Sequence, residues 1–195
     1  MSPPRAVAFD IMDTVLHDPY RAALEAATGL TAREIRERRD PEVWPRFERA
    51  EITEAEFFAA YGVEIDVEVF HDTRRSGYGF VDGMDRLLDE LEGDVVRVAA
   101  TNYPIWLEEL EADLLAGCFE HVVSSHRLGV RKPDPDFYRQ LCETAGADAS
   151  EVLFVDDRAP NVAAAEAAGL RAHRFAGTPD LRERLRREGV DVALN

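Results

Sequence analysis

The stretch PRAVAFDIMDTVL at residues 4–16 decides the fold. It opens with a short apolar run, residues 4–9, which ends at Asp10 and a polar turn. An apolar run of this length between polar boundaries is typical of a strand buried in a parallel sheet. In such sheets ligands bind beyond the carboxyl ends of the strands, so Asp10 stands where a functional residue is expected.

Residues 18–79 differ in character from the first strand and predict a small bundle of helices. Asp18 and Pro19 form an N-cap and first-turn pair, and Thr53 with Glu56 forms a capping box. Apolar residues recur at helical spacing, without the β-branched alternation of strands. These residues are Leu24, Ile35, Trp44, Phe47, Phe57, Phe58 and Tyr61.

From residue 80 onward the pattern alternates between helix and strand. The predicted strands are 95–100, 121–124, 152–155 and 172–175. The predicted helices are 84–91, 105–115, 137–145, 161–168 and a last one from Pro179. This alternation predicts an α/β fold, with a Rossmann-like parallel sheet and helices on both faces. We expect a core domain of residues 1–17 and 80–195, and an all-helical cap domain of residues 18–79.

The charge of the chain bears on its partners. It carries 39 acidic and 23 basic residues, a net charge of −16, which repels phosphate backbones and anionic lipids. We therefore expect no nucleic-acid or membrane partner. The two cysteines form no CxxC pair, and we expect free thiols in a cytoplasmic protein that is a monomer or a homodimer.

Four segments place polar residues at or near the ends of predicted strands. They are AFDIMDTVL at 8–16, VAATN at 98–102, GVRKPDP at 129–135 and VLFVDDRAPNVAAAEAAG at 152–169. In this order they resemble the four motifs of the haloacid dehalogenase-like superfamily, and residues 18–79 resemble its helical cap. The resemblance covers nearly the whole chain. It implies a hydrolase, most simply a Mg²⁺-dependent phosphatase that acts on a small phosphorylated molecule.

The first two motifs supply a nucleophile and phosphate-binding groups. A carboxylate such as Asp10 can attack a phosphoryl group and form an aspartyl-phosphate, which splits one difficult displacement into two steps. Thr101 offers a hydroxyl and Asn102 an amide that can hold phosphoryl oxygens. We expect Asp10 and Thr101 to be catalytic and Asn102 to bind phosphate.

Lys132 is the only lysine among the 23 basic residues of the chain, and it falls in the third motif. A phosphoryl group beside an aspartate and a metal needs a fixed cation, and a compact ammonium provides one as a point charge. We therefore expect Lys132 to be catalytic and to bind phosphate.

The fourth motif predicts a metal site. Asp156 and Asp157 are adjacent carboxylates that repel each other unless a cation or hydrogen-bond donors neutralise them. Mg²⁺ prefers oxygen ligands, including one or two carboxylates. The resemblance implies that Mg²⁺ binds Asp10, the main-chain carbonyl of Met12 and Asp157, with Asp156 as a second ligand or nearby acceptor. It also implies that Asn161 orients a metal-bound water.

Met12 departs from the family pattern, because phosphatases of the superfamily carry a second Asp at this position as acid and base. A thioether cannot transfer a proton. Asp13 is a possible substitute, but in an extended chain its side chain points away from that of Asp10, so it can replace the missing Asp only if the turn begins immediately after Asp10. His17, Asp18 or a cap residue are further candidates.

Three interpretations stay open from the sequence. The chain is a phosphatase whose acid and base lie elsewhere, a haloacid dehalogenase, which needs no leaving-group proton, or a binding protein that keeps the pocket without turnover. Substrate choice is expected to depend on the cap. The cap side chains able to contact a ligand are Trp44, Arg46, Phe47, His71, Arg74 and Arg75.

Overall fold

The computed structural model describes residues 2–193. Its five strands form one parallel sheet in the order β3-β2-β1-β4-β5. They are β1 Ala6–Phe9, β2 Val96–Thr101, β3 His121–Ser124, β4 Val152–Asp156 and β5 Arg171–Arg174. All five were predicted, with ends within two residues of those observed. The strand that carries the first motif lies at the centre of the sheet.

Helices cover both faces of the sheet, as the alternating pattern predicted. Those after β1 are α1 Tyr20–Thr28, α2 Ala32–Arg38, α3 Val43–Glu48, α4 Glu54–Ala59 and α5 Val67–Gly77. The others are α6 Met84–Glu90, α7 Leu107–Asp113, α8 Ser125–Leu128, α9 Pro135–Ala145, α10 Ala159–Ala167 and α11 Thr178–Arg187, with a short 3₁₀ helix at Ala149–Glu151.

The central strand divides the core into two layers. Val7 and Phe9 of β1 point into one apolar cluster, which includes Leu181 of α11, while Ala6 and Ala8 belong to the other, which includes Phe137 of α9. Successive side chains of a strand point to opposite faces, so both faces of β1 are buried. The fold class is therefore the predicted Rossmann-like α/β class.

The helices α1–α5 lie between β1 and β2, where the insertion was predicted. The capping box of Thr53 and Glu56 is present at the start of α4, and Asp18 accepts a hydrogen bond from the Tyr20 amide at the start of α1. Stacked Phe47 and Phe57 share a cluster with residues of the sheet. The division into a core domain and a cap domain stays a prediction.

Two further observations concern the cysteines and the character of the helices. Both cysteines are free thiols, as predicted. Among residues 2–193, none of the helices combines the length and apolar character needed to cross a membrane.

Arg74 of α5 connects the inserted helices to the segment that follows β2 through hydrogen bonds and a contact with an aromatic ring. Its side chain is fully buried, and its guanidinium donates hydrogen bonds to Glu109 of α7 at 2.6 Å and to the Tyr78 hydroxyl at 3.0 Å. It also lies over the Trp106 ring, 5.1 Å from its centroid. A buried guanidinium needs such partners, because an unpaired buried charge is costly.

We expect Arg74→Met to lower the free energy of unfolding by about 2–3 kcal/mol, since it breaks a buried pair while Glu109 keeps its second partner, Arg75. Arg75→Met is the matched control. Arg75 is exposed, and an exposed ion pair contributes about 0–1 kcal/mol. Urea denaturation of both variants measures the difference, and equal losses would contradict the assigned role of Arg74.

Candidate active site

The predicted site residues meet at one edge of the sheet. Phe9 of β1 is in register with Ala99 of β2 and Val155 of β4, so the carboxyl ends of three adjacent strands lie side by side. A cavity of about 340 Å³ opens there. It is lined by eight predicted site residues: Asp10, Met12, Asp13, Thr101, Asn102, Lys132, Asp157 and Asn161. A cavity of about 540 Å³ elsewhere in the chain contains none of them.

The ammonium group of Lys132 lies at the centre of the site. Its Nζ donates three hydrogen bonds of 2.7 Å, to Asp10 Oδ1, to Asp156 Oδ2 and to the main-chain oxygen of Ala100. An ammonium has three donors, so all of them are used. Burial by itself lowers the pKa of Lys132, but the attraction of Asp10 and Asp156 outweighs it, and the pKa is raised. The lysine is therefore a fixed positive charge.

Asp156 is the most completely bonded carboxylate of the site. It is fully buried, and besides Lys132 it accepts hydrogen bonds from the Arg158 amide at 2.9 Å and from Asn161 Nδ2, which is 3.0 Å from each of its oxygens. These donors occupy both oxygens. Asp156 is therefore better placed to hold Lys132 and Asn161 than to bind a metal directly, and the Asn161 amide is engaged with a carboxylate.

Asp157, unlike Asp156, lines the cavity. It is half-buried, and together with Asp10 and Asp156 it offers oxygens that lie within 4.8 Å of one another. Three carboxylates beside one ammonium leave an excess charge of about −2, which a divalent cation neutralises. Burial raises the pKa of Asp157, and Asp156 adds to the rise. Burial likewise raises the pKa of Asp10 to about 7, against the attraction of Lys132.

The residues that end β2 support the same centre. Thr101 is buried, and its side chain lines the cavity. Asn102 accepts a hydrogen bond from the Lys132 amide and donates one to the Lys132 carbonyl, both at 2.9 Å. This double contact fixes the backbone that carries the lysine. One amide hydrogen of Asn102 is left for a ligand.

Asp13 lies in a turn that begins directly after Asp10, so the alternation of an extended strand does not apply to it. Asp13 lines the same cavity as Asp10, because the strand ends at Phe9 and the chain then turns. Asp13 has a φ of 60°, and its amide donates to the Leu16 carbonyl at 2.6 Å. An aspartate tolerates this left-handed conformation. The alternation rule fails here because residues 11–16 are a turn and not an extended strand.

Asp18 is a second carboxylate on the rim of this cavity. Its amide donates to Asp13 Oδ1 at 3.1 Å, which ties the two residues together. Desolvation by the surrounding protein, with Asp13 close by, raises the pKa of Asp18. A carboxyl that keeps its proton to higher pH is suited to donating one.

Among the six cap side chains proposed as ligand contacts, Trp44 lines the cavity. The other five are engaged within the protein. Phe47 is in the aromatic core, and Arg46 pairs with Glu51. His71 contacts Glu54, and both Arg74 and Arg75 pair with Glu109.

Four further cavity residues were missed by the sequence analysis: Arg21, Glu48, Tyr103 and Arg158. Two of them directly follow a motif residue, since Tyr103 comes after Asn102 and Arg158 after Asp157. That adjacency is a signal that sequence reasoning can use. Arg21 and Glu48 come from the inserted helices, and no local pattern marks them.

The strand-end carboxylates, the fixed ammonium and the hydroxyl of Thr101 define a hydrolase site on an α/β core. A model of the haloacid dehalogenase-like hydrolase family matches residues 4–169, and the chain belongs to that family. The family and the class of enzyme are those predicted from the four motifs.

Two relatives and one solved structure illustrate the likeness. The chain is 35% identical over 191 residues to the chloroplast flavin mononucleotide hydrolase 1 of Arabidopsis thaliana, a match that covers 95% of this chain and 78% of that protein. It is 35% identical over 141 residues to a sesquiterpene phosphatase of Aspergillus oryzae, covering 66% of this chain and 70% of that protein. A Bacteroides thetaiotaomicron enzyme of the family, solved with magnesium and inorganic phosphate, has the same fold at a TM-score of 0.76 and 18% identity, covering 93% of this chain and 98% of that one.

We expect Asp157→Asn to weaken Mg²⁺ binding at least tenfold in calorimetric titration, because the variant loses a carboxylate that lines the cavity and belongs to the cluster of Asp10, Asp156 and Asp157. Asp13→Asn is the matched control. It removes one charge from the same cavity, and asparagine accepts the left-handed backbone of Asp13. We expect the control to change the affinity less than about threefold, and similar losses in both variants would argue against a direct contact between Asp157 and the metal.

Metal affinity should also depend on pH. Mg²⁺ must displace the proton of Asp10, whose pKa is raised to about 7 by burial. The affinity of the wild-type protein should therefore rise about tenfold per pH unit up to neutrality and level off above it. Titrations between about pH 5.5 and pH 8 measure this dependence, and a constant affinity over that interval would show that Asp10 does not compete with the metal.

Proposed function

We propose that this protein is a Mg²⁺-dependent phosphatase that cleaves a small phosphorylated metabolite through an aspartyl-phosphate on Asp10. In this proposal residues 18–79 are the cap domain, and the protein works in the cytoplasm as a monomer or a homodimer. The relatives named for phosphate-ester hydrolysis support the reaction, and the structural neighbour that contains magnesium and phosphate supports the metal.

The observation that carries the proposal is the asymmetric bonding of Asp10. Lys132 binds Oδ1 of this carboxylate, whereas Oδ2 accepts no hydrogen bond from any residue in the range 2–193. Asp10 is almost fully buried but borders the cavity. A desolvated carboxylate oxygen that is held in place and has no donor is suited to attack a phosphorus atom.

The other residues receive roles from their positions. Mg²⁺ would be held by Asp10, Asp157 and the main-chain carbonyl of Met12, and it would neutralise charge on the phosphoryl oxygens. Thr101 and Lys132 stabilise the negative charge that develops during transfer. Asp156, supported by Asn161, holds Lys132 in position.

Phosphate and halide release over a panel of phosphomonoesters and 2-haloacids, with and without Mg²⁺, tests this function. Phosphate release that requires Mg²⁺ and is lost in Asp10→Asn is the expected result. Metal-independent halide release would instead identify a dehalogenase. Ligand-induced thermal stabilisation without turnover would identify a binding protein. Met12→Asp should raise turnover if the missing acid limits the rate, by up to about 10²-fold.

The proposed source of the leaving-group proton is Asp18. Its carboxyl is exposed on the cavity rim, and its hydrogen bond to the Tyr20 amide engages Oδ1 and leaves Oδ2 for a ligand. Its pKa is raised from the usual value. A general acid matters most when the leaving group is a poor one.

We expect Asp18→Asn to lower kcat/KM for alkyl phosphates by about 10²-fold, while p-nitrophenyl phosphate, whose leaving group needs little protonation, changes less than about fivefold. Asp13→Asn is the control that removes the neighbouring carboxylate. Asp18 is not the general acid if Asp18→Asn lowers kcat/KM equally for both substrates. It is also not the general acid if Asp13→Asn, and not Asp18→Asn, shows the selective loss on alkyl phosphates.

A further inference from the structure

A second cavity of about 440 Å³ lies beside the active site. It is formed by α1, α2 and the start of α10. Two residues, Arg21 and Arg158, line both cavities, so the two spaces adjoin. Arg36 and Arg39 add two more guanidinium groups to the second cavity.

The charge of this cavity is unusual for the protein. Most of the 22 arginines pair with a carboxylate, as expected in a chain with a net charge of −16. Eight of them have no carboxylate of residues 2–193 within 4.0 Å. Four of these eight line this one cavity: Arg21, Arg36, Arg39 and Arg158. Arg39 is half-buried beside the Tyr61 and Tyr20 hydroxyls, and the other three arginines are exposed. Several positive charges around one cavity attract an anion.

The floor of the cavity has a different character. Leu24 and Ile35, which are both buried, contribute apolar surface to the lining of the cavity. The space therefore offers apolar contact to a carbon framework and guanidinium groups to an anionic end. Guanidinium groups bind phosphate and carboxylate through paired hydrogen bonds.

We propose that this arginine cavity binds a second anionic group of the substrate, a phosphate or carboxylate carried by the leaving group. The proposal rests on the proposed function, in which the scissile phosphate lies at Asp10. From there a leaving group extends past Arg21 and Arg158, which border both cavities, toward Arg36 and Arg39. The substrate class is thus a phosphomonoester with an acidic group at the far end of an apolar framework.

Binding of phosphonates tests the proposal without requiring turnover. Calorimetric titration of the Mg²⁺-loaded protein compares α,ω-bisphosphonates of increasing linker length with monophosphonates of the same length. At the linker length that spans both cavities, the bisphosphonate should bind at least about tenfold more tightly. No gain at any length would overturn the proposal.

Single arginine variants then locate the second site. Arg36→Gln and Arg39→Gln should each reduce the bisphosphonate advantage at least about threefold. Arg38→Gln is the matched control, because Arg38 ends the helix that carries Arg36, has no carboxylate of residues 2–193 within 4.0 Å and does not line the cavity. The proposal is wrong if the advantage survives both Arg36→Gln and Arg39→Gln, or if Arg38→Gln removes it equally.

Turnover of p-nitrophenyl phosphate separates this proposal from the proposed function. This substrate has no second anionic group, so its turnover tests the phosphatase assignment without involving the arginine cavity. Absence of p-nitrophenyl phosphate hydrolysis in the wild-type protein would count against the phosphatase assignment, while the phosphonate titrations would still decide whether the arginine cavity binds an anion.

Discussion

The three hydrogen bonds of the Lys132 ammonium are the interaction on which the site depends. They join Asp10 after β1, Ala100 in β2 and Asp156 at the end of β4. A buried ammonium costs several kcal/mol in lost hydration, which two carboxylates and a carbonyl at hydrogen-bond distance offset. The same contacts therefore stabilise three adjacent strand ends and orient the nucleophile. Removing Lys132 would leave the buried carboxylates of Asp10 and Asp156 without their shared positive charge.

The two adjacent aspartates of the fourth motif have different roles, because hydrogen-bond donors surround the carboxylate of Asp156. Asp156 is enclosed by Lys132, Asn161 and a main-chain amide, while Asp157 faces the cavity. This arrangement keeps a negative charge at the metal position even though one carboxylate is neutralised by the lysine. A divalent cation beside Asp157 would offset the remaining excess charge of about −2. Asp156 thus holds Lys132 in place, and Asp157 is a candidate metal ligand.

The sequence predicted the sheet because each strand is a local apolar run, and it predicted the site because the motif residues end those strands. What it missed depends on contacts between distant residues. The direction of Asp13 follows from a turn whose hydrogen bond reaches Leu16. The engagement of Asn161 with Asp156, and that of Arg74 with Glu109, become visible only after folding. The arginine cavity likewise joins α1, α2 and the start of α10.

The most direct test of the central claim is chemical trapping of the intermediate on Asp10. The protein is quenched in acid during turnover and reduced with borohydride, which converts an aspartyl-phosphate to homoserine, and peptide mass spectrometry then locates the change. We expect homoserine at position 10, and only when substrate is present. Homoserine at another aspartate, or none while phosphate is being released, would contradict the role of Asp10 as the nucleophile.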